Sequence, residues 1–206
     1  MAEIAFYTNP MSRGQIVRWM LEELGEPYDE HLVGYGPEMK APAYLAINPM
    51  GKVPAIVHNG KTVTECAAIC AYLAAVFPEK ELGPKPGEEA DYFRYLFFAA
   101  GPVEQAVTSK TLGIAPTGDQ QASAGFGSYE LTMNVLDQMF QGRDFVCGDR
   151  FTAADVYCGA QVLWGLQFGT VTKTPALEAY AGRLAARPAA QKAKARDDEL
   201  MAAQQR

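Results

Sequence analysis

Residues 51–79 read GKVPAIVHNGKTVTECAAICAYLAAVFPE. Val53-Pro54 opens an apolar run, Ala55-Ile56-Val57-His58. Asn59-Gly60 follows, a pair that supplies the two positive-φ residues a two-residue hairpin turn requires. Lys61-Thr62-Val63 then reads as the returning strand. Thr64-Glu65 precedes a helical run in which Ile69, Leu73 and Val76 recur at intervals of four and three. Thr64 is the candidate N-cap, and Glu65 puts an acid in the first turn, where the helix dipole favours it. The unit is proline, strand, tight turn, strand, helix.

Upstream, Glu3–Tyr7 has strand character, with Ile4 and Phe6 on one face and Ala5 and Tyr7 on the other. Thr8-Asn9-Pro10 breaks it. Ser12–Leu24 is an amphipathic helix whose apolar stripe is Ile16, Val17, Met20, Leu21 and Leu24. Gly25 is a natural residue to follow it. Pro27 stops any restart, and Tyr28–Val33 is a second strand. A Gly- and Pro-bearing loop over residues 34–40 leads to a short helix at Ala43–Ile47. This order fits a thioredoxin-like layer, a mixed four-stranded sheet covered by helices.

Downstream, residues 77–87 hold Pro78, Pro84, Pro86, Gly83 and Gly87, the clearest domain boundary in the chain. The sequence predicts one domain over residues 1–78, a linker over 79–87 and an all-helical domain over 88–206. Phe93, Leu96, Phe97 and Ala100 share one side of its first helix, which Gly101-Pro102 kinks or interrupts and Val103–Val107 can continue. Residues 108–118 read as a loop. Tyr129, Met133, Leu136 and Phe140 space a second long helix. Thr152 and Asp155 form a capping box, with Asp in the place of the usual Glu or Gln and with Phe151 as the staple residue. Asp155 is read as structural. Thr174-Pro175 starts a helix with Pro at its first position. Arg187-Pro188 interrupts before a last stretch, Ala189–Ala195, and the polar tail Arg196–Arg206 reads as frayed or loosely packed.

The 206-residue chain is 49% hydrophobic, enough for a well-filled core. Its formal charge of -6 is dispersed, which argues against a nucleic-acid partner. The four cysteines, Cys66, Cys70, Cys147 and Cys158, form no CxxC, and His31 and His58 are the only histidines. A metal site is therefore poorly supplied. The start, MAEIAFYT, reads as a strand and not a signal peptide, and the apolar run from Cys66 to Phe77 is too short to cross a bilayer. A cytoplasmic location with reduced cysteines is expected.

The wording VPA…TE-x-A-A-I…YL…P resembles the glutathione-binding core of the soluble glutathione S-transferases, and the bacterial-type members in particular. The capping box and the closing run PALEAYAGRLAARPAAQKA extend the likeness over nearly the whole chain. The resemblance implies a glutathione transferase fold: an α/β thioredoxin-like N-terminal domain and an all-α C-terminal domain. It implies glutathione as co-substrate, no metal, and conjugation of the thiol to small hydrophobic electrophiles, with peroxide reduction as a further activity. It also implies a homodimer with no membrane partner. The alternative is a non-catalytic glutathione- or ligand-binding protein of the same fold.

By the same resemblance the thiolate donor lies at the junction of the first strand and helix, at Tyr7, Asn9 or Ser12, with Arg13 reinforcing the field. Tyr7 is equally a core tyrosine, Ser12 equally an N-cap, and Arg13 equally a solvent-facing residue. Val53, before a cis Pro54, holds the cysteinyl part. Glu65 takes the γ-glutamyl amino group, and the N–H at 66 takes its carboxylate. Cys66 stands where the family has Ser or Thr, and a thiol is a poor donor. Lys40 and Lys52 are candidates for the glycyl carboxylate. Phe97, Gly101, Trp164 and Phe168 are candidates for the acceptor pocket, expected at the seam of the two domains.

Overall fold

A computed structural model describes residues 3–204. The chain divides into two compact units: the residues up to Lys80 together with those from Arg187 onward, and Glu81–Ala186.

The first unit is built on a mixed sheet. Strand β1 (Ile4–Thr8) pairs parallel with β2 (Tyr28–Leu32) and antiparallel with β3 (Ala55–His58). Strand β4 (Lys61–Thr64) closes a hairpin on β3, giving the order β2-β1-β3-β4. Asn59 and Gly60 both have positive φ (50° and 74°), as the Asn-Gly turn requires. Ile4, Phe6 and Thr8 on one face of β1 are buried. Helix α1 (Gly14–Leu24) buries the stripe read from the sequence and ends at Gly25. Gly25 takes φ 72° and returns its N–H to Leu21 O at 3.0 Å. Helix α2 (Pro42–Leu45) is a single turn; α3 (Cys66–Val76) packs on α1. Thr64 does not cap α3: it is the last residue of β4, and Glu65 is the cap residue.

The tail differs from its reading as frayed. Helix α10 (Pro188–Gln204) runs through it and packs on α1 within the first unit, not within the all-helical one. Ala193, Asp197 and Leu200 form its buried face. Polar composition hid this, because the face is held by charge. Arg18 on α1 is fully buried, donating from Nε to Asp197 Oδ1 at 2.8 Å and from Nη1 to Glu30 on β2. Arg196 reaches the same Glu30 at 2.8 Å. Burial opposes the Arg18 charge, but Asp197 and Glu30 outweigh it and hold its pKa above the ordinary value. Burial pushes the Asp197 carboxyl up to about 6, against the pull of Arg18, which favours its charged form.

The second unit is helical. Helix α4 (Glu89–Phe98) passes through a π-helical turn (Ala99–Val103) into α5 (Glu104–Thr111). Pro102 lies in that turn and shifts the register without ending the line. The inner face of α4 is Tyr92 and Leu96, continued by Ala99 and Val103, at intervals of four, three and four. Phe93 and Phe97, on the side that the sequence groups with Leu96, are 46% and 65% exposed. A run dense in aromatics offers two helical stripes, and tertiary packing chose the one carrying Tyr92. The segment read as a loop over 108–118 is helical as far as Thr111, and a short α6 (Asp119–Ser123) follows. Helix α7 (Tyr129–Phe140) is capped by Ser128, α8 (Ala153–Phe168) by the Thr152/Asp155 box, and α9 (Pro175–Ala185) by Thr174 with Pro at its first position.

Candidate functional site

The candidate residues Tyr7, Asn9, Ser12, Arg13, Lys40, Lys52, Val53, Pro54, Glu65 and Cys66 all belong to the first unit. The turn between β1 and α1 is a closed hydrogen-bond system. Asn9 is buried; its Nδ2 donates to Val33 O at 3.0 Å and its Oδ1 accepts from Met11 N at 3.0 Å. One N–H of the amide and its oxygen are thus committed here. Ser12 Oγ donates to Asn9 O at 2.6 Å and accepts from Gly14 N at 2.9 Å. Ser12 is half-buried and Arg13, the residue before α1, is exposed.

Tyr7 points to the other side of the strand from Phe6 and Thr8. Its ring stacks on His31 with centroids 4.7 Å apart and tilts against Tyr44 at 5.9 Å. It packs, with Ile47 and Val53, on a buried cluster of Val33, Met39 and Tyr44. Tyr7 is partly buried against this cluster.

The loop after α2 is set by Lys52 O, which accepts from Tyr44 Oη at 2.6 Å and from Asn48 Nδ2 at 2.8 Å. Burial pushes the Tyr44 phenol up to about 12, so it remains a donor at neutral pH. The Val53-Pro54 bond is cis. Ladder pairing begins only at Ala55, opposite Tyr7, so Val53 lies just outside the sheet beside the end of β1. The Lys52 side chain is exposed. Lys40 folds its ammonium onto Met50 O and Gly51 O, both at 2.9 Å, and so pins this loop.

At the head of α3, Glu65 has φ 64° and ψ 118°. A non-glycine residue there carries strain of about 1–3 kcal/mol, and such residues cluster at functional sites. Glu65 is exposed, and its carboxylate has no hydrogen-bond or ion-pair partner among the described residues. Its carbonyl accepts the Ile69 N–H at 2.8 Å. The amides ahead of Ile69 point out of the helix end, an arrangement suited to an anion. Cys66 Sγ donates to Arg13 O at 3.6 Å, joining the head of α3 to the start of α1. The strand end, the Val53 loop and the head of α3 thus converge, bringing an unspent acid, helix-end amides and a serine hydroxyl to one region.

Sequence reasoning missed Arg18, Thr8 and Tyr44 around this region. An arginine among apolar helix residues and a threonine at a strand end carry no local sign of their partners. Phe97 and Phe168 of the helical unit are largely exposed, and Trp164 and Gly101 are half-buried. No group of His, Cys, Asp or Glu among the described residues is placed to hold a metal ion, and no helix among them is long and apolar enough to cross a membrane.

Residues 11–76 match the model of the glutathione S-transferase N-terminal domain, and residues 102–188 that of the glutathione S-transferase C-terminal domain. The chain is 27% identical over 168 residues to glutathione S-transferase D7 of Drosophila melanogaster, covering 79% of this chain and 75% of that one. Matches to the curated relatives span 56% to 76% of their lengths. Among solved structures, a sphingomonad glutathione S-transferase complexed with glutathione is 27% identical, with a TM-score of 0.74 over 94% of this chain and 98% of that one. The theta class enzyme of Xanthomonas axonopodis pv. citri with glutathione bound is 26% identical, with a TM-score of 0.75 over 94% and 97%. The fold is a thioredoxin-like layer with an all-helical partner, and this chain belongs to the glutathione S-transferase superfamily.

Proposed function

We infer that this protein is a glutathione transferase of the bacterial type. It binds glutathione on the thioredoxin-like unit and ionises the thiol by a hydrogen bond from Ser12. The thiolate then attacks small hydrophobic electrophiles, and the same thiolate reduces peroxides. Glu65 carries the reading: a strained, exposed acid whose carboxylate is unspent, set beside helix-end amides. An acid matches the γ-glutamyl ammonium and the amides match its carboxylate. Val53 offers its backbone to the cysteinyl part, and Lys52 is the candidate for the glycyl carboxylate. Lys40 is better suited to holding the loop, since its ammonium is already shared by two carbonyls.

Ser12 is favoured over its two rivals. The Asn9 amide is engaged at both ends, and the Tyr7 ring is packed among His31 and Tyr44. Arg13, exposed at the head of α1, adds positive field to the dipole. The protein works as a cytoplasmic homodimer without metal. A sedimentation mass near that of a single 22.4 kDa chain would rule out the dimer.

Two observations favour the competing reading, a binder without turnover. Cys66 replaces a hydroxyl donor, and the Ser12 proton is directed to Asn9 O in the free protein. Calorimetric titration with glutathione, followed by assay with an aryl halide and a hydroperoxide, separates the two. Saturable binding with turnover is expected; binding with no turnover of any electrophile would favour the binder, and no binding at millimolar glutathione would reject the transferase and leave only a binder of another ligand. The substitution Cys66→Ser restores a hydroxyl at the helix end. It is expected to tighten glutathione about 3- to 10-fold, the worth of about one net hydrogen bond. An unchanged Kd in the same titration would remove residue 66 from the carboxylate contact.

A further inference from the structure

The hydroxyl of Thr8 is an anomaly in an otherwise paired turn. Thr8 is fully buried at the end of β1, and its Oγ1 has no hydrogen-bond partner among the described residues. Its backbone is in order, with Thr8 O accepting from Val33 N at 2.8 Å. Buried hydroxyls are nearly always bonded, and an orphan calls for an explanation. Valine has the same shape and needs no partner, so the side chain's volume does not explain it.

Its position offers one. A Cβ added to Gly14 would lie 2.0 Å from Thr8 Oγ1 and 3.0 Å from Ser12 Oγ. Both hydroxyls therefore border the space beside Gly14 that a Cβ would fill. A serine hydroxyl has one proton to donate and two lone pairs to accept with. In this structure Ser12 Oγ uses its proton on Asn9 O and one lone pair on the Gly14 N–H. The second lone pair of Ser12 and the proton of Thr8 are both unspent.

We propose that Thr8 is a positioning residue for Ser12: it donates to Ser12 Oγ when the serine turns its proton from Asn9 O to the glutathione thiolate. The inference rests on the reading of Ser12 as the thiolate donor. Every bond is then accounted for. Asn9 O keeps the Ser12 N–H, at 3.1 Å in this structure. Ser12 Oγ accepts from Gly14 N–H and Thr8 O–H and donates to sulfur. No proton changes owner; the Thr8 dipole strengthens the serine's donation, as linked hydrogen bonds do.

The test compares Thr8→Val with Thr8→Ser, and with Ser12→Ala as control. The readouts are the pKa of the bound glutathione thiol, titrated by thiolate absorbance, and aryl halide turnover at a pH below that pKa. Thr8→Val is expected to raise the bound thiol pKa by about half a unit to one unit and to slow turnover about 3- to 10-fold. Thr8→Ser is expected to restore both values. The thermal midpoint of Thr8→Val should equal or exceed the parent's, since an orphan hydroxyl has been replaced by a methyl. In a Ser12→Ala background Thr8→Val should have no further effect on either readout.

An unchanged thiol pKa in Thr8→Val, with Ser12→Ala raising it, would overturn the role of Thr8 while leaving Ser12 in place. A Thr8→Ser variant as impaired as Thr8→Val would overturn it too, since packing and not the hydroxyl would then be responsible. If Ser12→Ala leaves the pKa unmoved, the Ser12 reading fails and the role of Thr8 fails with it.

Discussion

Replacing Asp155 by alanine lowers the thermal midpoint by about 10 °C, the expected consequence of about 3–5 kcal/mol lost from a chain of this size. The carboxylate is buried at the start of α8 and accepts four hydrogen bonds. Oδ1 takes Val146 N at 2.7 Å and Tyr180 Oη at 3.0 Å; Oδ2 takes Thr152 N at 2.8 Å and Thr152 Oγ1 at 3.0 Å. Two of the donors are backbone amides that have no other position to take. Stranding a buried amide costs about 1–3 kcal/mol, and alanine strands both. Asparagine is no remedy, because its NH2 must face one of them. Burial pushes the Asp155 carboxyl up to about 6. The folded state therefore holds this proton more tightly than the unfolded chain does. The contribution is full below about pH 4 and is lost as pH rises through 6. The protonated form is accommodated because the Thr152 and Tyr180 hydroxyls can reverse and accept. Stability profiles of the parent and Asp155→Ala, taken from pH 4 to 7, should differ most at the acid end. A difference that grows toward neutral pH, or a midpoint within 3 °C of the parent, would contradict this account.

What was legible in the sequence follows the range of the forces involved. The hairpin, the caps at Thr152 and Thr174 and the stripe on α1 are set within a few residues, and each formed as read. On α4 two aromatic stripes lie within one helix, and only long-range packing selects which is buried. The α10 tail went wrong for a related reason. Arg18 and Asp197 are 179 residues apart, and neither looks apolar, yet together they form a buried join. Within the candidate site, the residue types were legible and their commitments were not. Asn9 commits its amide oxygen to Met11 N and one N–H to Val33 O, and the Lys40 ammonium sits on two carbonyls, none of which the sequence shows. Glu65 differs, because its positive φ is imposed by the passage from β4 straight into α3, which sequence read as an ordinary capped start.

Ser12→Ala is expected to lower kcat/KM with an aryl halide by about 100-fold, while Tyr7→Phe stays within about 3-fold of the parent. Removing one donor aimed at developing or resting negative charge in an active site costs about 100- to 1000-fold, and the lower end suits a helix dipole that remains. The same loss, expressed as ionisation, is a bound thiol pKa raised by about two units. Glutathione binding below that pKa should be nearly unchanged, since the neutral thiol gains little from the serine. The loss should therefore fall on kcat and shrink as pH rises and the thiol ionises unaided. That pH dependence separates a thiolate donor from a residue that only shapes the turn. Alanine at 12 also deprives Asn9 O and Gly14 N of a partner, and a purely structural loss would weaken binding and turnover together at every pH. Tyr7→Phe removes a phenol whose ring is already placed by His31 and Tyr44, so the fold is left intact and the comparison is clean. If Tyr7→Phe raised the thiol pKa and Ser12→Ala did not, the tyrosine would be the donor, and its ring would have to leave the stack on His31 to reach the sulfur.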